Sequence, residues 1–173
     1  MYRATFFLLL FASFVASQGS LLWAQDDPLA ATATCNFDDE KQLVIQYQRI
    51  PIDIKKPLAQ QIPFGRPWVP GGKAITLFTN TSIQVGPITL PIGAYTMFVV
   101  PSSRAWTLII SKSTDLSGNY DDHQDLVRIP LESGELPSPE TVFTVSFSHV
   151  SPQVCNIRID ADKTGHFADI SRR

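Results

Sequence analysis

The residues with the most obvious capacity for chemistry lie in Tyr120-Asp121-Asp122-His123-Gln124-Asp125, where three carboxylates and an imidazole fall within positions 121–125. Carboxylate oxygens with an imidazole nitrogen can ligate a divalent cation, and a carboxylate beside a histidine can act as an acid/base pair. The segment lacks the glycine and the ligand spacing of an EF-hand loop. A solvated acidic loop leading into a strand would look the same and do no chemistry. His149 and His166 sit on other segments, so nothing in the histidine spacing announces a zinc site. Gly71-Gly72-Lys73 is not a phosphate loop, because Pro67 replaces the leading glycine and Ala74 the following Ser or Thr. Neither a G-x-S-x-G elbow nor an H-E-x-x-H helix occurs. Asp121, Asp122 and His123 therefore remain as the candidates for a metal-assisted reaction, with no cofactor implied.

Aromatic side chains offer a second kind of site. Trp68, Tyr95, Phe98 and Trp106 could line a ligand groove. Tyr95 and Trp106 lie on alternating strand faces, where an aromatic ring packs the core. Trp68 lies instead in a proline-rich stretch, so it is the aromatic candidate for ligand contact. Asn80-Thr81-Ser82 is a glycosylation sequon, meaningful only in a eukaryotic secretory pathway. The two cysteines, Cys35 and Cys155, allow one pairing, and in an oxidising compartment such a pair forms a structural disulfide. Without a C-x-x-C spacing there is no sign of a redox-active thiol.

The elements that must position these residues read as strands. Residues 1–24 form a signal peptide, with Arg3 ahead of the apolar run Phe6–Ala16 and a small-residue cleavage site at Leu22-Trp23-Ala24. The apolar run is too short to span a membrane, which takes about 20 residues. Cleavage leaves 173 − 24 = 149 residues with a net charge of −2 − 1 = −3, enough chain for one domain with a sizeable core. A near-neutral surface without a basic stripe excludes nucleic acid as a partner, and no transmembrane segment remains. Residues 25–34 read as a flexible lead-in and 35–173 as one domain. Leu43, Ile45 and Tyr47 alternate with Val44, Gln46 and Gln48, and Tyr95, Met97, Val99 and then Trp106, Leu108, Ile110 each share one face. Period-two alternation buries one face of a strand. Five prolines between Ile50 and Pro70 make that stretch an extended crossing loop. Later strands carry Phe143, Val145, Phe147 and Cys155, Ile157, Ile159 inward. Turns fall at Leu136–Pro139 and Asp162–Gly165. About eight short strands with regular turns predict an all-β, antiparallel β-sandwich.

The order of several segments adds a resemblance. Pro63-Phe64-Gly65 with Trp68, then Leu90-Pro91-Ile92-Gly93-Ala94-Tyr95, Trp106-Thr107-Leu108 and finally Tyr120-Asp121 with Asp125-Leu126-Val127-Arg128 resemble the bacterial family catalogued as domain of unknown function 2911. The likeness runs from about Cys35 to Asp160 and implies an exported protein without an assigned activity. Where that family continues from its tryptophan with Arg, Asn and Glu, this chain has Val69, Lys73 and Ala74. A divergent member is thus expected, with that polar set lost or altered. The reading that follows is an exported protein, periplasmic or extracellular, acting as a non-enzymatic binding module of the cell envelope. Its partner would be a small molecule, a glycan or an envelope protein. The alternative is a metal-assisted enzyme built on Asp121, Asp122 and His123.

Overall fold

The computed structural model describes residues 27–173, so the segment expected as a signal peptide lies outside the described residues. Ten strands form two antiparallel sheets with a shared hydrophobic core. The six-stranded sheet contains β1 (Ala30–Asn36), β2 (Gln42–Gln48), β3 (Ile75–Thr79), β6 (Gly93–Val100), β7 (Thr107–Ser111) and β8 (Asp125–Pro130), adjacent in the order β1-β2-β3-β6-β7-β8. The four-stranded sheet has the order β5-β4-β10-β9, from β4 (Ile83–Val85), β5 (Ile88–Leu90), β9 (Glu132–Ser151) and β10 (Val154–Arg172). Apart from three short 3-10 turns the described residues contain no helix.

The period-two pattern places the core where alternation requires. Leu43, Ile45, Leu77, Met97, Leu108 and Ile110 from the larger sheet meet Ile83, Val145, Ile157 and Ile159 from the smaller, all buried. Cys35 on β1 and Cys155 on β10 form the expected disulfide with Cα atoms 6.2 Å apart, joining the two sheets. The lead-in expected over 25–34 is corrected at its end. Ala30–Thr34 pair with Val44–Gln48 as part of β1, because the alternating small residues fit beside β2 and bury Ala33.

Between β3 and β6, neighbours in the larger sheet, the chain crosses to the smaller one. After β3 the chain leaves the larger sheet, makes the β4–β5 hairpin in the smaller one, and returns as β6. The departure is held at Thr79–Thr81. The Thr79 hydroxyl donates to Thr81 O at 2.7 Å, while the Asn80 carboxamide accepts from Gln42 N at 2.8 Å and donates to Glu40 O. The sequon asparagine is therefore engaged in closing a turn.

The last two strands are longer than expected and both bend. The ladder between them shifts register on either side of Asp162, whose φ is 53°. Beyond that point the two halves of β10 lie side by side: Arg172 N donates to Gln153 O, and Asn156 Nδ2 donates to Asp169 Oδ1 at 2.7 Å. A Cβ on Gly165 would sit 2.5 Å from Asp160 Oδ1, so a larger residue here would displace the Asp160 carboxylate. The chain thus reverses at Asp162–Gly165, as the turn residues there predict, and β9 bends at Leu136–Pro139 to pass around the tip of the folded β10.

Candidate functional site

The acidic segment divides in two. Asp122–Gln124 form a 3-10 turn, and Asp121 caps it by accepting a hydrogen bond from His123 N at 3.0 Å. This spreads Asp121, Asp122 and His123 over a solvent-facing surface. Their ligand atoms lie within 4.8 Å of one another, and His123 Nδ1 is 3.9 Å from Asp122 Oδ1. The side chains of His123 and Asp122 are 90% and 70% exposed. Three exposed donors on one turn can coordinate a divalent cation weakly, with water completing its shell, but they exclude no solvent and orient no substrate.

Tyr120 and Asp125 turn the other way. Asp125 Oδ2 accepts from the Tyr120 hydroxyl at 2.6 Å and from Arg128 Nε at 2.7 Å, and the Arg128 guanidinium also donates to the tyrosine oxygen. The Tyr120 ring packs edge-on against Phe98 at 5.0 Å. Burial and the neighbouring Asp125 carboxylate push the phenol up to about 12, so it stays a hydrogen-bond donor in neutral water. Sequence reading saw Asp125 as one more carboxylate of the cluster. Arg128 lies three residues further along β8, and the fold shows that it neutralises Asp125.

Trp68 does not stand free as a binding platform. It is half-buried, its ring meets Phe143 edge-on at 5.3 Å, and its backbone exchanges hydrogen bonds with Val99. Trp68 thereby fixes the next residues: Val69 packs with Phe98 and Ile109 on the outer side of the larger sheet. Gly118 of the 112–121 loop docks against Val69, and Ala74 N donates to Leu116 O. The loop is laid across the sheet as a strap.

Beside that strap runs a feature the sequence did not announce. Thr32 pairs with Gln46, Gln46 with Thr76, Thr76 with Thr96, and Thr96 with Ser111, so one polar residue from each of five neighbouring strands lines up across the sheet. Thr96 and Ser111 are buried under the strap, donating to Ser113 O and Gln124 O. The rest of the ladder floors an open trough. One part, ≈ 410 Å³, is lined by Thr32, Gln46, Gln48, Lys73 and Thr76. The other, ≈ 240 Å³, is lined by Thr76, Phe78, Ala94 and Thr96, and Leu116 is the ridge between them. At one end Lys73 and Gln48 both bond Asp27, whose carboxyl the Lys73 bond holds below its usual range.

A second pairing was also missed. His166 is buried, stacks on Trp106 with ring centroids 4.2 Å apart, and its Nδ1 lies 2.9 Å from Ser133 Oγ. Burial lowers its pKa to about 4, which makes it a poor general base for the serine. No carboxylate bonds the ring among the described residues, so the contact reads as a satisfied core histidine. His123, His149 and His166 are brought into no common site.

With this geometry in hand, comparison with known proteins gives one match: a family model described as "Protein of unknown function (DUF2911)" covers residues 29–168. The chain belongs to this family. No curated protein and no solved structure matches it. The sequence resemblance implied a polar set at the positions that are here Val69, Lys73 and Ala74. Val69 is buried beneath the strap, whereas Lys73 and Ala74 line the trough.

Proposed function

We propose that this protein is an exported, non-enzymatic binding module of the cell envelope, whose trough on the outer sheet face takes a glycan. The observation that carries the reading is the in-register polar ladder Thr32-Gln46-Thr76, flanked by exposed Phe78 and Leu116. Hydroxyls and carboxamides hydrogen-bond sugar hydroxyls without charge, and apolar flanks cover the faces of sugar rings. Lys73 is already neutralised by Asp27, so the trough offers little attraction to an anion. Export accords with the Cys35–Cys155 disulfide, which persists in an oxidising compartment. Among the described residues no helix is long and apolar enough to cross a membrane.

Calorimetric titration against neutral envelope oligosaccharides tests the reading. Saturable binding without turnover is expected, and Thr76→Trp, which fills the trough, should weaken it by roughly tenfold or more. Turnover of the bound sugar, or binding indifferent to Thr76→Trp, would overturn it.

The second reading, a metal-assisted enzyme, rests on the 4.8 Å clustering of Asp121, Asp122 and His123 ligand atoms. Metal analysis of the purified protein beside a His123→Ala variant separates the two. Equal and negligible metal in both removes this reading, and a stoichiometric ion lost in the variant supports it.

A further inference from the structure

The smaller sheet is interrupted on one side of β10. β10 pairs with β9 as far as Phe167↔Glu132 and with β4 only from Ile170↔Val85, so Ala168 and Asp169 between them pair with neither strand. A cleft of ≈ 500 Å³ opens at this interruption, remote in the fold from the polar ladder. Its construction is tight at one point: Gly86 has φ 54°, and a Cβ there would meet Ile129 Cγ2 at 2.6 Å. Glycine at the end of β4 therefore lets the β4–β5 turn close down on Ile129, which floors the cleft.

The chemistry of the lining is one-sided. Pro87, Pro130 and the ring of Phe167 provide apolar walls without hydrogen-bond donors to satisfy. Glu132 and Asp169 provide exposed carboxylates, and no Lys, Arg or His lines the cleft. Asn156 Nδ2 holds Asp169 through Oδ1 at 2.7 Å, fixing the carboxylate and leaving its second oxygen available. Neither carboxylate makes a salt bridge among the described residues, whereas Asp160 on the same strand as Asp169 pairs with Arg158.

We propose that this cleft receives a lysine or arginine side chain of an extended peptide or protein segment. The cationic head lies between Glu132 and Asp169, and the methylene stem lies along Phe167 and the two prolines. A long basic side chain matches both halves of the lining, since its stem is apolar and its charge sits at the far end.

The test is an amide NMR titration of the purified protein with capped tri-lysine, using capped tri-glutamine as the uncharged comparison. Tri-lysine should shift the Gly86, Ala168 and Asp169 amides saturably, with a Kd of about 1 mM or tighter and weaker binding in high salt. The double variant Glu132→Gln, Asp169→Asn should lose roughly tenfold or more in affinity, since each carboxamide keeps the shape and removes the charge. An Asp53→Asn control, at an exposed carboxylate outside the cleft, should leave the affinity unchanged. Equal shifts with tri-glutamine, shifts at another surface, or undiminished binding in the double variant would overturn the proposal. Should the double variant fail to fold, the comparison of tri-lysine with tri-glutamine on the unaltered protein still decides.

Discussion

Protonating His166 would put a cation against the face of Trp106 inside the core, and burial resists that strongly enough to lower its pKa to about 4. In the unfolded chain the ring titrates near 6.5, so between these two values the unfolded state binds the extra proton. Stability from this residue is therefore intact above pH 6.5, falls as the pH drops through that window, and stops falling below about 4. The gap corresponds to roughly 3 kcal/mol at most. Urea unfolding at pH 7 and pH 4.5 measures it. A His166→Phe variant, which can still stack on Trp106, should flatten the pH dependence, and an unchanged slope would place the acid sensitivity elsewhere. The same scale explains why Asp121, Asp122 and His123 were legible as candidates while the Tyr120–Asp125–Arg128 group was not. Adjacent residues announce themselves in a sequence, but three groups at positions 120, 125 and 128 meet only because the turn at Asp122–Gln124 and the start of β8 bring them together.

At the scale of elements, β10 depends on a residue that takes a left-handed conformation at its bend. Asp162 has φ 53°, where a branched side chain collides with its own backbone. Asp162→Val should lower stability by about 1–2 kcal/mol, and Asp162→Gly by less than half of that. Thermal unfolding of both variants checks the ordering, and equal losses would mean that the bend is not conformationally demanding. Turn residues marked this bend in the sequence, as Leu136-Pro137-Ser138-Pro139 marked its partner. Alternation marked β2 to the residue, Gln42–Gln48. The strand over Ala30–Asn36 was missed because alanine and threonine carry little apolar contrast, and its pairing with β2 is decided by the neighbour.

For the whole molecule, the disulfide is the one covalent tie between the sheets, closing a sequence separation of 120 residues. In the chain-entropy model a loop this long contributes at most about 5 kcal/mol by restricting the unfolded state. Reduction, or the Cys35→Ser, Cys155→Ser pair, should shift the urea midpoint sharply downward while leaving the strand spectrum intact in the absence of denaturant. Thiol labelling of unreduced protein should find no free cysteine. A midpoint unmoved by reduction would show that the packed core alone sets stability.

The amino-acid sequence by itself determined an all-β chain, the inward faces of its central strands, the single cysteine pairing and the family. Each of these follows from residues close together in the chain or from a count with one solution. Only the tertiary structure decided the rest. Which strand joins which sheet, the alignment of Thr32, Gln46, Thr76, Thr96 and Ser111 into one polar row, and the break in β10 pairing at Ala168 are set by register between distant segments. A one-residue slip would turn each of those side chains to the opposite face, and no local pattern encodes that choice.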